Sequence, residues 1–169
     1  MKTPQELMDS GLDWLKENYR RFPFVVERDI VWTLQQHLNS EIREGNLPYK
    51  VHSDYPMLKG SRRSLCADLV VLDPEGAVSV AVEFKYEPSK ARPDMLRSKF
   101  PVVFWGRDGV GKDVERIHTF VEEGKAQTAI SVFIDEGGAF AHREPHPNSK
   151  WTDWGNGIHV LYSRAERTV

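Results

Sequence analysis

Cysteine is almost absent: Cys66 is the one example in 169 residues. That excludes an internal disulfide and fits a reducing compartment. Its apolar surroundings read as those of a small buried hydrophobe, not a nucleophile. No apolar run approaches the ~18 residues that a membrane span needs, and the N-terminus lacks the positive-then-apolar pattern of a secretion signal. A cytoplasmic chain with no membrane partner is therefore expected. Repeats, low-complexity tracts and linkers are missing too. So is any global basic excess, since the net charge is −2. With hydrophobic residues at 40%, disorder is excluded, and the length predicts one domain over residues 1–169.

What charge there is lies unevenly. Residues 59–112 hold ten Lys/Arg against seven Asp/Glu, whereas the flanking segments are both acidic. A phosphate-bearing substrate would favour such a local field, although solvated loops are often equally charged.

The order of elements follows from spacing. Thr3-Pro4-Gln5-Glu6 has the form of a capping box with Pro at the first helical position, so an N-terminal helix is predicted over 3–21. A second helix is predicted from Val25 to Glu44, its apolar line running through Ile30, Val31, Leu34, Leu38 and Ile42. Glu27 precedes that line at helical spacing, so it caps the helix dipole or reaches the core. Strands are expected at Tyr49–Met57, 65–72, 78–86, Thr128–Asp135 and Gly157–Ser163, with a third helix over Lys112–Glu123. The sequence α, α, β, β, β, α, β, β implies an α/β fold: a central mixed sheet flanked by helices.

Within the two central strands stand three charged residues, Asp68, Glu83 and Lys85. Charges inside core strands are costly unless paired or bound to a metal. Alternation puts Val78, Val80, Val82 and Phe84 on one face and Ser79, Ala81, Glu83 and Lys85 on the other, with Glu83 and Lys85 ~7 Å apart. The Asp73-Pro74-Glu75-Gly76 turn decides where Asp68 falls. A two-residue loop sets Asp68 opposite Ala81 and diagonal to Glu83, where both carboxylates could meet one divalent ion. A three-residue loop bulged at Gly76 sends Asp68 to the other face unless a second bulge restores it.

A strand Asp, an acid-x-Lys on the next strand, then a helix and a further strand resembles the PD-(D/E)XK nuclease superfamily. The resemblance covers roughly residues 25–135, with 136–169 as a C-terminal extension, and implies the restriction-endonuclease-like α-β-β-β-α-β core. Asp68 and Glu83 match the two acids, Lys85 the lysine, and Glu27 the helix-borne Glu near the start of the core. Ala67 replaces the Pro of the motif's name. No tyrosine-bearing helix motif of the exonuclease branch follows, so that branch is unsupported.

The resemblance implies a metal-dependent nuclease that hydrolyses phosphodiester bonds, with DNA the expected partner. Hard carboxylate oxygens suit Mg²⁺ or Mn²⁺. Asp68, Glu83, the Phe84 carbonyl and Glu27 would then supply the metal site, and Lys85 would orient the attacking water. Arg62, Arg63, Lys90 and Arg92 are candidates for gripping phosphates. A homodimer would suit symmetric double-strand cutting. The alternative is a fold kept as a nucleic-acid-binding or protein-interaction module with little or no catalysis.

Three further signals are set aside. Gly106 to Lys112 fits G-x-x-x-x-G-K, but Asp113 stands where a hydroxyl should hold Mg²⁺, and a carboxylate there repels phosphate. His142 and His146 have metal spacing only on a helix, which Pro145 and Pro147 forbid. Trp151 and Trp154 are expected to serve the hydrophobic packing of a C-terminal loop instead of stacking on bases.

Overall fold

The computed structural model describes residues 1–58 and 65–167. Helix α1 (Pro4–Asn18) starts as its sequence dictates: the Thr3 hydroxyl accepts from the Glu6 amide, and the Glu6 carboxylate accepts from the Thr3 amide. A 3₁₀ turn (Tyr19–Arg21) leads to α2 (Glu27–Gly45), whose entry is fixed by Asp29 accepting from the Val25 and Val26 amides. Three strands follow: β1 (Lys50–Leu58), β2 (Leu65–Leu72) and β3 (Val78–Glu87). After a long segment with a second 3₁₀ turn (Arg97–Lys99) come α3 (Val110–Glu122), β4 (Thr128–Asp135), β5 (Ser149–Gly155) and β6 (Ile158–Glu166).

The six strands form one mixed sheet in the order β1-β2-β3-β4-β6-β5. Only β3 and β4 run parallel, joined by α3 as the crossover. The architecture is thus α/β, as the element order predicts. The Leu7, Leu15, Ile30, Leu34 and Leu38 side chains of α1 and α2 bury one face of the sheet against Leu69, Val71, Val80, Val82 and Phe84. Ile117, Phe120 and Val121 of α3 cover the other, against Val70, Leu72, Ala81 and Ala129. Both layers exclude water from the strand centres, so any charge placed there feels a low dielectric.

The β2–β3 hairpin resolves the register question by a route with two irregularities. The Asp73 amide donates to the Ala77 carbonyl, enclosing Pro74, Glu75 and a Gly76 with φ 87°, which is a three-residue loop. That loop alone would turn Asp68 away from Glu83. A second register shift restores it, because Leu72 pairs with Val78 whereas Val71 pairs with Val80. Leu69 then faces Val82, and continuing that register sets Asp68 directly opposite Glu83, not opposite Ala81. The bulge also moves Val78 to the α3 face, correcting the simple alternation that grouped it with Val80, Val82 and Phe84.

One strand goes beyond the sequence reading. The Ser149–Gly155 segment, expected as a loop, is the edge strand β5. It turns into β6 through Asn156 (φ 58°) and Gly157 (φ 80°), the two-residue left-handed pattern that matches strand twist. Trp151 stacks near Trp105 with ring centroids 5.8 Å apart, and Trp154 sits edge-on to Tyr19 at 6.1 Å, so both tryptophans pack as expected. His146 stacks on Trp105, its Nε2 2.8 Å from the Trp105 carbonyl. No helix among the described residues is long and apolar enough to cross a membrane.

Candidate active site

At the α3 face of β3 the sequence places acid and base on alternate residues, and α3 answers with its own pair. Lys85 Nζ lies 3.6 Å from Glu27 Oε2 and 3.4 Å from Asp113 Oδ2. Arg116 Nη1 lies 2.9 Å from Glu83 Oε2 and 3.9 Å from Asp113 Oδ1. The result is a continuous chain of alternating sign: Glu27, Lys85, Asp113, Arg116, Glu83. Asp68 stands beside it on β2, where its Oδ2 accepts from the Phe84 amide at 2.6 Å. Glu27, Asp68, Glu83 and Lys85 therefore come together from α2, β2 and β3.

Glu27 arrives there because it is the first residue of α2, with Ile30 and Val31 buried one turn later. It both lies at the positive end of the helix dipole and reaches Lys85. Phe84 fills the opposite face with its ring and anchors Asp68 through its amide.

Electrostatics at this site are unusual for carboxylates. Burial lifts Glu83 to about 9, with the neighbouring Asp68 adding to the rise and Arg116 opposing it. Burial likewise lifts Asp68 to about 6, against the Phe84 hydrogen bond, and Glu27 to about 7, against Lys85. Asp113 is raised by burial, less the pull of Lys85 and Arg116. For Lys85 burial works against the charge, but Asp113 and Glu27 outweigh it and its pKa ends above the ordinary lysine value. Ion pairing alone would lower the acids, so desolvation dominates. Among the described residues four carboxyls face two basic groups, and Glu83 Oε1, in a side chain only 3% exposed, has no hydrogen-bond partner among them.

A divalent cation would answer both deficits. It would take the place of the protons that burial holds on these acids and give the orphaned Glu83 oxygen a ligand, and carboxylate oxygen is the donor type that Mg²⁺ and Mn²⁺ prefer. The side chains as they stand do not form a finished cage: among the described residues, no group of three or more His, Cys, Asp or Glu side chains is arranged to hold a metal ion. Two carboxylates with waters suffice for Mg²⁺, so Asp68 and Glu83 fit the group.

The phosphate-gripping candidates fare differently. Arg62 and Arg63 lie outside the described residues. Lys90 is exposed and 3.6 Å from Glu87. Arg92 is held internally by the Phe24 carbonyl, the Tyr86 hydroxyl, Asp94 and Glu136. It ties the 86–109 segment to the body of the protein.

Asp113 and Arg116 are the site residues that sequence reasoning missed. A signal for Asp113 existed: it precedes Ile117 by four and Phe120 by seven, on the buried stripe of α3. Arg116 is three residues on and carried no comparable mark. The same geometry disposes of the phosphate-loop pattern at 106–112. The amides of Val110 and Gly111 already donate to the carbonyls of Phe104, Trp105 and Gly106, and Asp113 turns inward to Lys85. Compared with known proteins, the chain matches no family model and no curated sequence.

Proposed function

We propose that the protein is a divalent-metal-dependent nuclease that hydrolyses phosphodiester bonds, with DNA as the expected substrate, on a core of restriction-endonuclease-like type. The observation that carries this reading is the convergence of Asp68, Glu83 and Lys85 from two adjacent strands, joined by Glu27 from α2. Two carboxylates and a lysine at one point on a sheet face are the groups that phosphodiester hydrolysis needs.

In this reading Asp68 and Glu83 would hold Mg²⁺ or Mn²⁺, which would supply charge neutralisation at phosphorus and a more acidic bound water. Lys85, kept cationic by Asp113 and Glu27, donates toward the phosphate or orients the attacking water. Glu27, with its raised pKa of about 7, can accept the water's proton near neutral pH. Arg116, ion-paired to Glu83, would be free to meet the substrate's negative charge if a cation took over that carboxylate. Asp113 is a positioning residue: it aims Lys85 and Arg116 and touches no reactant.

Plasmid, single-stranded DNA and RNA incubated with the protein under Mg²⁺ and Mn²⁺ test the reading. Cleavage is expected only with the metal, and to fall at least ~100-fold in Glu83→Ala and Lys85→Ala. Metal-independent cutting, or cutting undiminished in both variants, would sink it. One observation favours a second reading, a binding module without catalysis: Lys85 and Arg116 already occupy the acids. Calorimetry with Mn²⁺ separates the two, since a module with a closed ion-pair network binds no cation through Glu83.

A further inference from the structure

The acid chain opens on one side into a cleft of about 320 Å³ between α2 and β1. Glu27 and Asp68 form its inner wall, and Arg28, Trp32, Gln35 and Asp54 its outer one. A substrate reacting at the acids therefore runs into this cleft.

The outer wall is chemically mixed in a telling way. Trp32 is 61% exposed, on the helix that carries Glu27, and presents an indole face to solvent one turn beyond the site. Gln35 donates its amide N–H to the Val51 carbonyl, which leaves its side-chain oxygen directed by that bond and able to accept. The Arg28 side chain is 83% exposed and only 3.9 Å from Asp54 at its nearest. Asp54 itself has a left-handed backbone, φ 50°, in the middle of β1. Continuing the β1–β2 register sets it opposite Asp68. A non-glycine residue rarely sits there, and such kinks cluster at ligand sites. A flat π-face, an amide acceptor and a loosely held guanidinium match a nucleotide's base, base edge and phosphate.

We propose that this cleft takes an unpaired nucleotide next to the scissile phosphate, with Trp32 stacking on its base, so that single-stranded or frayed nucleic acid is the substrate class. This rests on the nuclease reading for its placement. A base inside a duplex has both faces covered by its neighbours and cannot reach an indole on a helix side. Among the described residues three carboxyls to one guanidinium line the cleft, so binding without a divalent cation is opposed by like charge.

The test uses the full chain and a fluorescein-labelled twelve-nucleotide DNA, single-stranded or annealed. Anisotropy is read with Ca²⁺ present and absent, and cleavage is read separately with Mg²⁺. Single strands are expected to bind more tightly than duplex, only with the cation. Trp32→Ala should weaken single-strand binding about tenfold while Trp32→Phe retains most of it. Because Trp32 is exposed, neither substitution threatens the fold, and circular dichroism of both variants checks this. Equal affinity for duplex and single strand, or Trp32→Ala binding like the parent, overturns the proposal. So does a complete lack of binding. Trp32-dependent binding without cleavage supports the cleft and counts against the nuclease reading. Efficient cleavage of both strand types, indifferent to Trp32, does the reverse.

Discussion

At the scale of single residues, the decisive fact is that burial governs the acids more than their partners do. Glu83 has an arginine at 2.9 Å and still ends near 9, because the sheet face and α3 remove water from it. The consequence for stability has a definite sign. A carboxyl whose folded pKa is raised binds its proton better folded than unfolded. Its contribution is full below the ordinary value and is lost as pH rises through the folded one. Without divalent cations, stability should therefore decline as pH rises above the ordinary carboxyl range, the loss being complete by about 6 for Asp68, about 7 for Glu27 and about 9 for Glu83. Urea midpoints from about pH 5 to about pH 9 are expected to fall, and to fall less in Glu83→Gln. A cation must displace those protons, so Mn²⁺ affinity should rise over the same range, with proton release visible in buffers of different ionisation enthalpy. A pH-independent Mn²⁺ affinity would show that Glu83 is not a ligand. Glu27 was legible at this scale because its place on the α2 stripe contradicts its charge. Arg116 was not, since a lone arginine on a helix looks the same whether it faces water or a buried acid.

Elements set where those residues point, and two short segments decide most of it. The second bulge in the β2–β3 hairpin puts Asp68 across from Glu83. The turn sequence showed that register was open, but nothing local marks Ser79 as the extra residue. The loop before α3 is the other segment. A Cβ on Gly109 would stand 1.8 Å from the Phe104 carbonyl oxygen, a backbone atom that cannot swing away. Gly109→Ala should thus displace the start of α3, costing about 2–3 kcal/mol in urea unfolding. The milder Thr3→Ala, which removes one capping hydrogen bond from α1, is expected to cost about 1 kcal/mol and leave Mn²⁺ binding unchanged. Strand β5 shows a different failure. Its polar, tryptophan-bearing sequence lacks alternation, yet Asn156-Gly157 is the strongest short-range hairpin signal there is. The turn was readable where the strand was not.

Over the whole molecule, the site depends on three layers holding one distance. The acids belong to the sheet, Glu27 to the helix layer on one side, and Asp113 and Arg116 to α3 on the other. Phe120 is fully buried and fixes α3 on the sheet. Phe120→Ala is expected to cost about 3–5 kcal/mol. Where the variant remains folded, its stabilisation by Mn²⁺ should be larger than the parent's, because the loosened helix holds Arg116 less firmly on Glu83 and competes less with the cation. Equal stabilisation by Mn²⁺ in both proteins would mean that α3 serves the fold and not the site.

Helix positions, the central strands and the α/β class followed from the sequence alone, since hydrophobic period and capping chemistry are local properties that each segment carries wherever it folds. So did the suspicion about Asp68, Glu83, Lys85 and Glu27, because a charge among apolar neighbours is visible without coordinates. Tertiary structure alone decided the register that sets Asp68 facing Glu83, the edge strand β5, and the partnership with Asp113 and Arg116. Those depend on loop geometry and on contacts between segments far apart in the chain, where the same residues could equally have met water.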